Sequence, residues 1–176
     1  MLKSNVEISG STITLKFRAK GGKQVMKAVE AARLVPTIKV LQRLPGSRLF
    51  LYQDGDDVRS IRARDVNAFL CEVASCNVSC KDFRALRASI NVVETLLRTN
   101  RAEGPTRRKR QVRKAIQAAA DDLTNTITIC RKSYVHEAVV EAFERGKLGS
   151  VKKSASGRYP PARQILAEVI SAQEVR

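Results

Sequence analysis

A tyrosine, an arginine and a lysine are the side chains that metal-free, covalent cleavage of a phosphodiester requires, and this sequence holds each of them in a multi-residue setting. Tyr134 closes Cys130-Arg131-Lys132-Ser133-Tyr134, Arg84 closes Lys81-Asp82-Phe83-Arg84, and Lys20 follows Phe17-Arg18-Ala19 at a glycine turn. A phenol, with an ordinary pKa of about 10, attacks phosphorus only where cationic neighbours stabilise the phenolate or the developing phosphorane. A planar guanidinium grips two nonbridging oxygens with parallel hydrogen bonds, which suits Arg84. The departing 5′ oxygen needs a proton, and a lysine at the tip of a hairpin that enters a groove can give it, which suits Lys20. Asn125, nine residues before Tyr134, is a neutral donor for the same phosphate oxygen. Preorganised donors of this kind commonly contribute about 3 kcal/mol each.

The elements that must position these groups follow from apolar periodicity. Val6-Glu7-Ile8, then Ile13, Leu15 and Phe17 alternating with Thr12, Thr14 and Lys16, have the period of two of half-buried strands. Gly21-Gly22 turns the chain so that Lys23–Lys27 returns antiparallel, which predicts a small three-stranded sheet. Everything after it reads as helix. Pro36 suits the first position of a helix that Pro45-Gly46 stops, and residues 65–74 form a second. Ser79-Cys80-Lys81-Asp82 has the spacing of an N-terminal cap. It opens an amphipathic run with Phe83, Leu86, Ile90, Val93 and Leu97 at helical spacing and Arg84 in its first turn. Thr106 is expected to cap a helix through Asp122, and helices are expected over 127–133, 137–145 and 161–172. Asn125 can also cap the helix that begins near Ile127. The Ser-, Gly- and Lys-rich stretch 149–160 reads as a mobile connection. The expected fold class is α+β: one domain over 1–176, a small sheet over 1–30 and a mainly helical part over 31–176.

Composition names the class of partner. The chain of 176 residues carries 33 Lys and Arg against 17 Asp and Glu, a net charge of +16. The excess sits at the ends, with ten basic and two acidic residues in 1–50, seven of each in 51–100, and sixteen against eight beyond. Such charge binds a nucleic-acid backbone by counterion release, with log affinity falling by about 0.9 per log unit of salt for each phosphate neutralised. Arg107-Arg108-Lys109-Arg110, continued by Arg113 and Lys114, spreads charge around much of a helix and reads as phosphate contact. Lys23, Lys81, Arg131 and Lys132 complete the DNA-contacting candidates. With no Trp and 5% aromatic residues there is little material for stacking single strands, so duplex DNA is favoured.

A chain of this length buries about 70% of its unfolded surface as a single domain. No apolar run approaches the roughly 20 residues of a membrane span, and Met1-Leu2-Lys3-Ser4-Asn5 leads into a strand pattern in place of a signal peptide's apolar core. The expectation is a cytoplasmic, nucleoid-associated monomer with no membrane partner and no small-molecule substrate. Cys71, Cys76, Cys80 and Cys130 form no Cys-x-x-Cys pair and His136 is the sole histidine, so the four are read as reduced core thiols and no metal site is expected.

Taken in order, these residues resemble the type IB DNA topoisomerases of the bacterial, poxvirus-like group. Phe17-Arg18-Ala19-Lys20-Gly21 looks like the lysine hairpin, Pro45-Gly46-Ser47-Arg48-Leu49-Phe50 like the loop after the first helix, and Lys81-Asp82-Phe83-Arg84 like the arginine box. Leu123-Thr124-Asn125-Thr126 with Cys130 to His136 is similar to the nucleophile segment, with asparagine where many members have histidine. The resemblance implies a 3′-phosphotyrosine on Tyr134, rotation of the nicked duplex and resealing, without ATP, metal or other cofactor.

Two departures modify that expectation. Glu137 stands where the group usually has proline, a position that only starts a helix. The group also carries another catalytic arginine upstream of its sheet and a separate amino-terminal domain, whereas this sheet begins almost at Met1. The chain therefore looks like a catalytic domain cut short at its beginning, for which slow or undetectable turnover by the chain alone and better-preserved DNA binding are expected. Arg18, two residues from Lys20 on the same strand, is a poor substitute for the missing group. Two other classes stay open. Tyrosine recombinases normally begin the arginine box with histidine, where this chain has Lys81, and strand exchange between sites separates them. A non-enzymatic DNA-binding module would be indifferent to Tyr134→Phe.

Overall fold

Alternation of apolar and polar side chains makes β1 (Val6–Ser9) and β2 (Thr12–Arg18), joined by Gly10 at φ +58° and Ser11. That left-handed φ is open to glycine without a steric penalty. β3 (Gln24–Glu30) returns on the other edge of β2, giving an antiparallel sheet of order β1-β2-β3 with Ile13 opposite both Ile8 and Val29. The computed structural model describes residues 1–19, 22, 24–148 and 160–174 and comprises two compact units, Met1–Cys76 and Asn77–Arg176.

In the first unit α1 (Val35–Arg43) follows the sheet, with Pro36 as its second residue and not its first. The loop from Pro45 to Phe50 runs beside the N-terminus. The Lys3 N–H donates to the Ser47 carbonyl at 2.9 Å and the Leu49 N–H to the Met1 carbonyl at 3.2 Å. This seats Leu49, fully buried, against Val6 and Ile13. Helix does not follow everywhere after the sheet, as the sequence reading has it. β4 (Leu51–Asp54) and β5 (Asp57–Ser60) form a two-stranded hairpin turned by Gly55 at φ +60° and Asp56, a two-residue glycine loop suited to tight hairpins. α2 (Ala63–Ala74) closes the unit with Val66, Phe69 and Val73 exposed.

The second unit is helical. α3 (Cys80–Leu97) starts at Ser79, whose N–H and hydroxyl both donate to the Asp82 carboxylate, at 2.9 and 2.7 Å. Those hydrogen bonds, the hydroxyl's first, hold the Asp82 carboxyl below the usual carboxylate range. The buried face of α3 is Ala88, Ser89, Val92, Val93 and Leu96, while Phe83 and Leu86 of the expected apolar stripe are exposed. α3 packs on α4 (Pro105–Asp122), and the buried cluster they share holds Ala88 of α3 with Ala115, Ala119 and Ala120 of α4. α4 begins one residue before the expected cap: Pro105 takes the first position, its missing N–H and fixed φ suiting that place, and Thr106 lies inside the helix. α5 (Ile127–Ser133), α6 (Glu137–Glu144) and α7 (Ala162–Glu174) complete the core with Val139, Val140, Phe143, Ile165 and Leu166. The stretch 149–159 lies outside the described residues. Of the four cysteines only Cys130 is a core thiol, and burial pushes it up from its ordinary pKa, whereas Cys76 and Cys80 are exposed. Among the described residues no helix is long and apolar enough to cross a membrane.

Candidate active site

The turn between α4 and α5 organises the site. α4 ends with the Thr124 N–H on the Asp121 carbonyl at 3.1 Å and the Asn125 N–H on the Ala120 carbonyl at 2.8 Å, the paired bonds of a Schellman ending. The left-handed residue that this ending demands is Thr124, at φ +56°. A β-branched side chain there costs about 1–2 kcal/mol where glycine would cost little. Thr126 then caps α5, accepting the Ile129 N–H at 3.3 Å, so the cap is Thr126 and not Asn125.

One backbone carbonyl gathers the expected catalytic groups. The Leu123 oxygen accepts from Arg84 Nη2 at 3.1 Å and from Asn125 Nδ2 at 3.4 Å. The Arg84 guanidinium carbon stands 5.2 Å from the centre of the Tyr134 ring, a cation–π distance. Tyr134 is half-buried and terminates α5 with a non-helical backbone, φ −132° and ψ −26°. Arg87 and Asn91, one and two turns beyond Arg84 on α3, reach Asp122 at 3.6 and 3.0 Å. They tie the end of α4 to the helix that carries the guanidinium. Three of the four expected catalytic residues, Arg84, Asn125 and Tyr134, are thus brought together. The fourth, Lys20, lies outside the described residues, as does Lys23. Beside them in the chain, Arg18 Nε donates to the Gly22 carbonyl at 3.4 Å.

The remaining cationic candidates fall into two groups. Lys109, Arg113, Arg131 and Lys132 line a cleft of about 570 Å3 floored by Val112, Ile116 and Val140, with Glu144 among its lining residues. Arg131 and Lys132 also line a cleft of about 770 Å3 that contains Tyr134 and His136. Arg107, Lys109, Arg110, Lys81 and Lys132 are exposed. Arg108 is engaged internally, donating to the carbonyls of Ala102, at 3.2 Å, and Glu103, and Arg131 forms an ion pair with Glu137. Sequence reasoning missed the Leu123 carbonyl and the strained Thr124. A backbone oxygen has no sequence signature, but the absence of glycine at the end of α4 was a readable sign of strain.

A half-buried phenol under a guanidinium, with a carboxamide on the same anchor and basic clefts alongside, is the kind of arrangement that chemistry at phosphate calls for. The family described as the catalytic core of eukaryotic DNA topoisomerase I matches residues 1–157, and the chain belongs to that family, the type IB topoisomerases. Among individual proteins, the DNA topoisomerase 1B of Acanthamoeba polyphaga mimivirus is 30% identical over 150 residues, which is 81% of this chain and 45% of the viral protein. The chain thus spans under half the length of that relative.

Proposed function

We propose that this chain relaxes supercoiled duplex DNA by nicking and resealing one strand, with Tyr134 as the nucleophile. The Tyr134 oxygen attacks the scissile phosphorus, a phosphorus–oxygen bond to tyrosine forms, and the bond to the 5′ oxygen breaks. The phenolic proton leaves to solvent and Lys20 supplies the proton that makes the departing group a 5′ hydroxyl. Rotation of the free end relieves torsion, and the reverse attack by that hydroxyl restores the strand and releases Tyr134. The bond energy stays in the phosphotyrosine, so neither ATP nor another cofactor enters. Arg84 and Asn125 exchange the Leu123 carbonyl for the nonbridging phosphate oxygens, where negative charge accumulates.

Lys23, Lys81, Arg107, Lys109, Arg110 and Lys132 hold the duplex through its phosphates, and Arg108 and Arg131 add charge while keeping internal partners. The working form in this reading is a monomer in the cytoplasm, on nucleoid DNA. The observation that carries the reading is the guanidinium 5.2 Å from the tyrosine ring centre, with Asn125 on the same carbonyl as Arg84. The test incubates the protein with a duplex that loses its downstream strand on cleavage, in a chelator, and runs a denaturing gel. A covalent adduct is expected from the wild type and none from Tyr134→Phe, with the rate lowered about 10²–10³-fold in Arg84→Ala. Adduct persisting in Tyr134→Phe would overturn it.

A further inference from the structure

We infer that Ser89 is a positioning residue for the nucleophile, an inference that rests on the reading of Tyr134 just given. Ser89 is the one buried polar residue among the described core positions, 3% exposed. Its hydroxyl donates to the Tyr134 carbonyl at 3.2 Å and accepts the His136 N–H at 3.1 Å. These two backbone groups flank Val135, in the break between α5 and α6, where helical hydrogen bonding cannot serve them. The break starts at Tyr134 itself, whose N–H and that of Val135 both return to the Cys130 carbonyl. A single hydroxyl therefore fixes the chain on both sides of the residue next to the nucleophile.

Ser89 belongs to α3, five residues after Arg84, about 7.5 Å further along the same helix. One rigid element thus carries both the guanidinium and the group that pins the backbone of the phenol. Sliding or rotation of the Tyr134 segment against α3 would break both hydroxyl bonds. It would leave a part-buried carbonyl and a part-buried N–H without the partner that Ser89 gives them, at a cost in free energy. The register between Tyr134 and Arg84 is set by this clamp in addition to apolar packing. Misplacement of reacting groups by about 1 Å is enough to slow a reaction on the order of 10²-fold.

A positioning role has a signature that a merely structural role lacks. The same alignment serves attack by Tyr134 and attack by the 5′ hydroxyl, so its loss slows cleavage and resealing by the same factor and leaves their ratio unchanged. The experiment measures single-turnover cleavage, resealing and DNA affinity for Ser89→Ala at saturating duplex, well below the unfolding temperature. Cleavage and resealing are expected to fall together by roughly 10- to 100-fold, with affinity within about twofold of wild type.

Ser89→Thr and Ser89→Val guard against loss of folding, since they match in shape and differ in the hydroxyl: the first is expected to stay close to wild type and the second to be slow. Phe143→Leu, a core change in α6 away from the site, is expected to lower stability without slowing cleavage. Wild-type rates in Ser89→Ala, equal rates in the Thr and Val variants, or equal slowing in Phe143→Leu would each overturn the inference while the role of Tyr134 stands. A wild type that forms no adduct overturns both.

Discussion

In Asn77–Arg176 one continuous buried cluster runs from Ala88 on α3 through Ile116, Cys130, Val139 and Phe143 to Leu166 on α7. In Met1–Cys76 the corresponding cluster is Val6, Ile13 and Leu49 with a fringe of half-buried neighbours, and Met26, Val40, Phe69 and Val73 are more than half exposed. The difference sorts the chemistry. The phenol, the guanidinium and the carboxamide all belong to the densely packed unit, where neighbours fix their backbones. Preorganised groups stabilise developing charge without reorganising when the reaction occurs, which is why such groups gain from a rigid support. The sheet unit carries a different kind of resource, a basic hairpin on a thin core.

The sharpest way to break this contrast is to truncate one apolar side chain in each unit. Leu96→Ala, in the core of α3, is expected to destabilise the helical unit by about 2–5 kcal/mol through lost burial and the cavity left behind. Phe69→Ala, at a side chain 60% exposed on α2, is expected to change stability by no more than about 0.5 kcal/mol. Denaturant titration of both variants checks the pair, and equal losses would remove the distinction between the units.

A smaller effect sharpens the account within the helical unit. Thr124→Gly is expected to raise stability by about 1 kcal/mol, because glycine accepts the left-handed backbone that threonine occupies at a cost. It is also expected to slow adduct formation by loosening the turn that holds Leu123 and Asn125. A stability curve beside a single-turnover assay reads both.

The smallest effect is at the start of α3. The Asp82 carboxyl has its pKa lowered, chiefly by the Ser79 hydroxyl. Its contribution is therefore fully present above the ordinary carboxylate value of about 4 and is lost as pH falls through the lower folded value. Amide exchange in the first turn of α3 is expected to quicken over that acidic range in the wild type. In Asp82→Asn it should already be fast at neutral pH.

How much of this was legible in the sequence depended on the range of the interaction. Strand alternation at Ile13 and Leu15, the Ser79–Asp82 cap and the helix ending at Ser133 are local patterns, and the structure has them. Tyr134, Arg84 and Asn125 stood out as candidates by residue type and by resemblance. Their convergence on Leu123 was not, because a carbonyl shared between α3 and the end of α4 is a tertiary fact. The β4–β5 hairpin was obscured because Asp54, Asp56, Asp57 and Arg59 dilute the apolar alternation around Gly55. The buried stripe of α3 was displaced because Ala88 and Ser89 do not look like core, yet both are buried. A hydroxyl at 89, three residues after Leu86 and four before Val93, was the available hint that a polar group in that stripe needed a partner.

The chain has three tyrosines, Tyr52, Tyr134 and Tyr159, of which Tyr134 is the proposed nucleophile. Digesting the covalent adduct with protease and nuclease and sequencing the nucleotide-bearing peptide by mass spectrometry tests it most directly. A 3′-phosphoryl nucleotide on the peptide containing Tyr134 is the expected result. The same mass shift on Tyr52 or Tyr159, with Tyr134 unmodified, would contradict it.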